Sequence, residues 1–158
     1  MSLIKKFKSL HYENQKNKIL MIIKKERQIK ADPKTVWTVL TNPTEIKQWL
    51  GVDTKSDWKP QSDIIFTFTW EGKIYEDKGK VIRFDKEKNF TYSYWSGFSG
   101  LPDKPENYSK IEFLLEPMEE KTLLKLSHSE FPTETMYKHS DKNWEETLDM
   151  IKTLTENT

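Results

Sequence analysis

Between Ile64 and Trp95 the chain reads IIFTFTWEGKIYEDKGKVIRFDKEKNFTYSYW, three strand-like runs joined by short polar turns, with aromatic side chains at every second position in the first and third. Successive strand side chains point to opposite faces, so Phe66, Phe68 and Trp70 share one face, and Phe90, Tyr92 and Tyr94 share another. Only one long amphipathic helix, near the C-terminus, is available to cover these bulky rows. A curved antiparallel sheet gripped by a single helix often encloses more space than it fills, so a ligand cavity is expected between them.

The remaining elements follow from local signals. Residues 22–29 alternate weakly and read as a first strand. Asp32-Pro33 starts a helix, with aspartate as N-cap, proline in the first turn, and Val36, Trp37, Val39 and Leu40 as the buried stripe. Asn42-Pro43 starts a second in the same way, with Glu45 placed for a capping box, Ile46, Trp49 and Leu50 as its stripe, and Gly51 at its end. Strands are expected over 62–70, 73–84 and 88–95, turning at Glu71-Gly72 and Asp85-Lys86-Glu87. The segment 96–107, broken by two glycines and two prolines, is expected to be a mobile loop beside a pocket. Two more strands, 108–116 and 121–128, turn through Pro117–Glu120. From Thr133 or Ser140 onward, Trp144, Leu148, Ile151 and Thr155 or Leu154 describe a final amphipathic helix. Segregated elements in this order are α+β.

At 158 residues the chain fits one domain able to bury a core without staples. It has no cysteine, which excludes disulfides, thiolate metal sites and cysteine nucleophiles and favours a cytoplasmic setting. Charge is unevenly placed: residues 1–30 carry nine basic and two acidic side chains, while the rest carries 17 and 23. An acidic body, in a chain whose only arginines are Arg27 and Arg83, is poorly suited to phosphates, so no nucleic-acid partner is expected. No run is long enough to cross a bilayer, so no membrane insertion is expected. The lysine-rich residues 1–20, with Ile4, Phe7, Leu10 and His11 at helical spacing, are expected to form a frayed extension before a domain spanning 21–158.

Among polar residues, His128 stands out because Leu124, Leu126 and His128 alternate onto one strand face and place an imidazole at the end of an apolar row. It reads either as a cavity hydrogen-bond donor or general base, or as a structural histidine fixing the strand end. No serine or carboxylate at diagnostic spacing makes it a triad. His11 and His139 fall in segments expected to be exposed, and no HExxH-like cluster exists, so neither a metal site nor a cofactor is expected. Glu76 and Asp77 are adjacent on a strand, so only one of them can enter a cavity.

The segment ERQIKADPKTVWTVLTNPTEIKQWL, the glycine-x-valine of Gly79 and Val81, the strand Phe90–Trp95, and the Thr122–Phe131 ending of the form TxLxLxHxxF together resemble a known family. It is the family named after the C-terminal domain of the activator of Hsp90 ATPase, within the START-like (SRPBCC, Bet v 1-like) superfamily. The resemblance covers residues 22–155. It implies a helix-grip fold: a curved antiparallel β-sheet of six or seven strands, with two short helices and a long C-terminal helix enclosing a cavity. Two places depart from the pattern. Glu130 and Asn143 stand where the family often has glycine, so the local backbone and one pocket wall are expected to differ.

The resemblance implies non-enzymatic binding of a small, largely apolar molecule, lipid-like or aromatic, in a stress-related role. The expected wall is Trp37, Trp49, Phe66, Phe68, Trp70, Tyr92, Tyr94, Phe113, Leu126, His128, Trp144 and Leu148. The same aromatics can instead form a filled core. Two other functional classes stand beside this one: a protein-interaction module with a chaperone such as Hsp90 as partner, recognisable by an exposed apolar patch, and a cyclase- or hydrolase-like enzyme acting in the cavity.

Overall fold

A computed structural model describes residues 3–5 and 21–158; apart from 3–5, the extension expected over 1–20, with Phe7, Leu10 and His11, lies outside the described residues. Seven antiparallel strands form one sheet: β1 (Ile23–Ile29), β2 (Asp53–Ser56), β3 (Asp63–Trp70), β4 (Lys73–Asp85), β5 (Asn89–Tyr94), β6 (Ser109–Met118) and β7 (Lys121–Ser129). Their spatial order is β1-β7-β6-β5-β4-β3-β2, so the chain runs a meander from β2 to β7 and closes it with β1 on the far edge. Two short helices, α1 (Pro33–Thr41) and α2 (Pro43–Leu50), separate β1 from β2, and α3 (Glu134–Glu156) ends the fold.

Local chemistry accounts for these boundaries. The Asp32 carboxylate accepts from the Thr35 N–H and caps α1, and the Asn42 side chain accepts from the N–H groups of Thr44 and Glu45 to cap α2. The reciprocal arm of the expected capping box is not made, because the Asn42 N–H already donates to Thr38 O at the end of α1. Gly51 ends α2 at φ 76°. The Trp49 indole N–H donates to Val39 O at 2.8 Å and locks the two helices together.

Three expectations change. Strand β2 was not expected; its four residues, DTKS, carry too little apolar pattern and are held by pairing with β3. Pro117 belongs to the β6–β7 ladder, opposite Thr122, and the turn narrows to Glu119-Glu120 with Glu120 at φ 58°. The segment after Trp95 is held at many points: Lys78 pairs with Asp103, the Trp95 indole N–H donates to Leu101 O at 3.2 Å, and the Asn107 amide donates to Pro102 O at 2.9 Å.

Sheet curvature has a visible cause. A Cβ on Gly79 would lie 1.6 Å from Ser93 O, so only glycine admits this approach of β5 to β4. Two residues on, the β4–β5 register shifts between Val81 and Arg83, a bulge that bends the long strand. The final helix lies across the concave side with Trp144, Leu148, Ile151 and Thr155 buried. Its outer side is tied to β1 by Arg27, which bonds Glu145 at 2.6 Å and Asp149 at 2.9 Å, and by Lys25, which bonds Glu145 at 2.6 Å.

Candidate functional site

A cavity of about 300 Å³ lies between the concave face and α3. The strands contribute Phe66, Asp77, Tyr92, Tyr94, Ile111 and His128, all buried or half-buried. Opposite them, α3 presents Ser140, Asn143, Trp144 and Thr147, at the spacing of one helical face beside the core stripe. Trp49, Leu50 and Val52 line the end nearest α2, where exposed Leu50, Glu146 and Met150 place the mouth. Phe66 packs on Tyr92 and Tyr94 with ring centroids 5.8 and 6.0 Å apart, so the wall is continuous aromatic surface.

His128 sits at the inner end of the cavity, 5 % exposed. The Trp144 indole N–H donates to its Nδ1 at 3.0 Å, and its Nε2 lies 2.8 Å from Ser109 Oγ. Indole nitrogen is only a donor, so Nδ1 is the acceptor and the proton of the neutral ring sits on Nε2. Ser109 therefore accepts from His128 and passes its own proton to Tyr94 O at 3.3 Å. Burial drives the imidazole pKa from 6.5 down to about 3. With both nitrogens engaged and the ring neutral, His128 orients Trp144 and ties β7 to β6; it is not placed to act as a free base.

The second polar feature is Asp77 with Tyr94. Asp77, 7 % exposed, accepts from the Tyr94 hydroxyl and from the Gly97 N–H at 2.9 Å. The chain passes so close here that a Cβ on Gly97 would lie 2.1 Å from Glu76 O. Burial pushes the Asp77 carboxyl pKa upward, opposed by these hydrogen bonds, and burial followed by the Asp77 charge pushes the Tyr94 phenol well up. Asp77 was not among the expected wall residues, yet the turn carried the signal. The hairpin at Glu71-Gly72 pairs Trp70 with Lys73 and hence Phe66 with Asp77, and cross-strand partners share a face.

Six of the twelve expected wall residues line the cavity: Trp49, Phe66, Tyr92, Tyr94, His128 and Trp144. The other six do not. Phe113, Leu126 and Leu148 are buried in the core outside it, Phe113 filling the space between Trp49 and Trp144. Trp37 packs under α1 against Phe84 and Phe90. Phe68 stacks on Tyr75 at 5.6 Å, and Trp70 is 55 % exposed against Phe98. Ser140, Asn143 and Thr147 were missed because a polar stripe on an amphipathic helix reads as its solvent face. Of the two departures, Glu130 keeps a glycine-like backbone at φ 60°, and Asn143 lines the cavity.

Among the described residues, no group of three or more histidine, aspartate and glutamate side chains is placed to hold a metal, and no helix is long and apolar enough to cross a membrane.

One antiparallel sheet, wrapped on its concave side around a single long helix and a cavity, defines a helix-grip domain. Residues 30–156 match the model of the activator of Hsp90 ATPase homolog 1-like protein family, and the chain belongs to that family. A Cytophaga hutchinsonii protein solved in solution is similar at 36 % identity and TM-score 0.75, covering 86 % of this chain and 94 % of its own. A Mesorhizobium loti crystal structure has 21 % identity and TM-score 0.72, covering 87 % and 98 %. The Aha1 dimer from Colwellia psychrerythraea has 24 % identity and TM-score 0.67, covering 85 % and 96 %; these last two show the fold alone. No curated protein matches the chain.

Proposed function

We propose that this protein binds a small, largely apolar molecule in the cavity between the sheet and α3, without chemical conversion. The observation that carries this reading is the cavity itself: about 300 Å³ walled by Trp49, Phe66, Tyr92, Ile111 and Trp144, with Asp77, Tyr94 and His128 on the sheet side and Ser140, Asn143 and Thr147 on α3 as its polar groups. That volume is about twice an engineered apolar cavity of roughly 150 Å³ that takes up benzene, so a ligand of about two fused rings or a short branched chain fits. A cytoplasmic, stress-related setting belongs to the same proposal. Native mass spectrometry of protein purified gently from its own source tests it. A co-purifying small molecule, released on denaturation, is expected; bare protein that also takes up no apolar probe contradicts it.

A second reading, a protein-interaction module with a chaperone such as Hsp90, is favoured by a different feature. Trp70 and Phe98 are each 55 % exposed at one end of the sheet, where they meet edge to face. Calorimetric titration with purified Hsp90 tests it, with loss of binding in Trp70→Ser and Phe98→Ser the expected result. Unchanged binding in both variants contradicts this role for the patch.

A further inference from the structure

The cavity lining carries two acidic side chains, Asp77 inside and Glu146 at the mouth, and neither lysine nor arginine. Among the described residues no cation pairs with Asp77. Its neighbour Lys78 points to the other face, where it pairs with Asp103 and lies 5.6 Å over the Trp95 ring. His128, the remaining titratable base on the lining, stays neutral because Nδ1 must accept from Trp144. The Asp77 carboxylate has about four lone-pair directions. Those met by protein are the Tyr94 hydroxyl on Oδ2, the Gly97 N–H on Oδ1, and the adjacent Ser96 hydroxyl. An anion held by neutral donors alone, in a pocket walled by Phe66, Tyr92 and Tyr94, retains uncompensated charge toward the cavity.

Resting on the ligand-binding reading above, we propose that the cavity selects cationic amines: a compact aromatic or branched apolar body seated against Trp49, Phe66 and Trp144, with an ammonium group donating to Asp77. The carboxylate supplies the counter-charge and the tyrosine rings the lining. An anionic ligand of the same shape would face Asp77 with no basic side chain to receive it, and a neutral hydrocarbon would leave the carboxylate unanswered.

Three indoles of similar size test the selection by calorimetric titration at pH 8: tryptamine, 3-ethylindole and indole-3-propionate. Tryptamine is expected to bind more tightly than 3-ethylindole by about ten-fold or more, the advantage of a charge-assisted hydrogen bond, with indole-3-propionate weakest. Asp77→Asn is expected to remove the tryptamine advantage while leaving the 3-ethylindole affinity within about three-fold, the scatter of a neutral substitution at a polar end. Tyr94→Phe, which leaves the carboxylate and deletes a competing donor, is expected to widen the advantage, and it decides the matter if Asp77→Asn does not fold. Equal affinities for tryptamine and 3-ethylindole, a preference that survives Asp77→Asn, or one that disappears in Tyr94→Phe would overturn amine selection while leaving apolar binding intact. No binding of any of the three overturns both readings.

Discussion

The Trp144 indole N–H donates to Nδ1 of His128 at 3.0 Å, joining α3 to β7 at the inner end of the cavity. The bond requires an unprotonated Nδ1, so protonating the ring sets two donors against each other inside the protein. The pKa is about 3 in the folded chain and 6.5 in the unfolded one, so the unfolded chain takes up the proton first as pH falls. The stability this neutral histidine contributes is therefore complete above pH 6.5 and is lost progressively from there toward pH 3. The slope is about 1.4 kcal/mol per pH unit. Urea melts between pH 7 and 5, above the range where the paired carboxylates titrate, should show the decline in the native chain and its absence in His128→Gln.

Gly79→Ala should leave little folded protein. The added Cβ would sit 1.6 Å from Ser93 O, a backbone atom held in the β4–β5 ladder, so relief requires moving a strand. The expected loss exceeds about 4 kcal/mol. Circular dichroism and soluble yield check it; a variant melting near the native temperature would show that the sheet bends by other means.

Glu130→Gly should stabilise the protein. Glu130 holds φ 60°, a region costing a non-glycine residue about 1–2 kcal/mol, part of which is offset by the extra freedom glycine has in the unfolded chain. A net gain of about 0.5–1 kcal/mol in denaturant melts is expected, and a loss would show that the Glu130 side chain contributes more than its backbone costs.

Leu148→Ala separates core from cavity on the final helix. Leu148 has no exposed surface and lies outside the cavity lining, so truncation should cost about 2–5 kcal/mol and leave apolar-probe affinity unchanged. A cost below about 2 kcal/mol with altered probe affinity would mean that the cavity extends beneath Leu148.

The fold was legible because its signals are local and repeated. Paired Asp-Pro and Asn-Pro helix starts, period-two aromatics in β3 and β5, and the Trp144–Leu148–Ile151 stripe each specify an element independently of the rest. The four-residue β2 was not legible, since its pairing comes from β3 rather than from its own residues. The candidate site was half legible. Alternation puts Phe66, Phe68 and Trp70 on one face, yet where the helix stops covering that face depends on the crossing of α3 over the sheet, which no local pattern encodes. Trp70 thus reads as a wall residue and stands exposed. Asp77 could be placed by counting register from the Glu71-Gly72 turn, whereas the hydrogen bond from Trp144 to His128 depends on a long-range approach that spacing alone does not reveal.

The central claim, that the space under α3 receives a small apolar molecule, is tested most directly by filling it. Thr147, half-buried on the α3 face of the cavity and outside the buried stripe of Trp144, Leu148 and Ile151, is the position to replace by tryptophan. Titration with N-phenyl-1-naphthylamine, a neutral probe that fluoresces in apolar surroundings, should show saturable one-to-one binding to the native protein. In Thr147→Trp of comparable melting temperature it should show at least about a ten-fold loss of affinity, as steric exclusion from a pocket requires. No saturable binding to the native protein, or equal binding to both, would contradict the account.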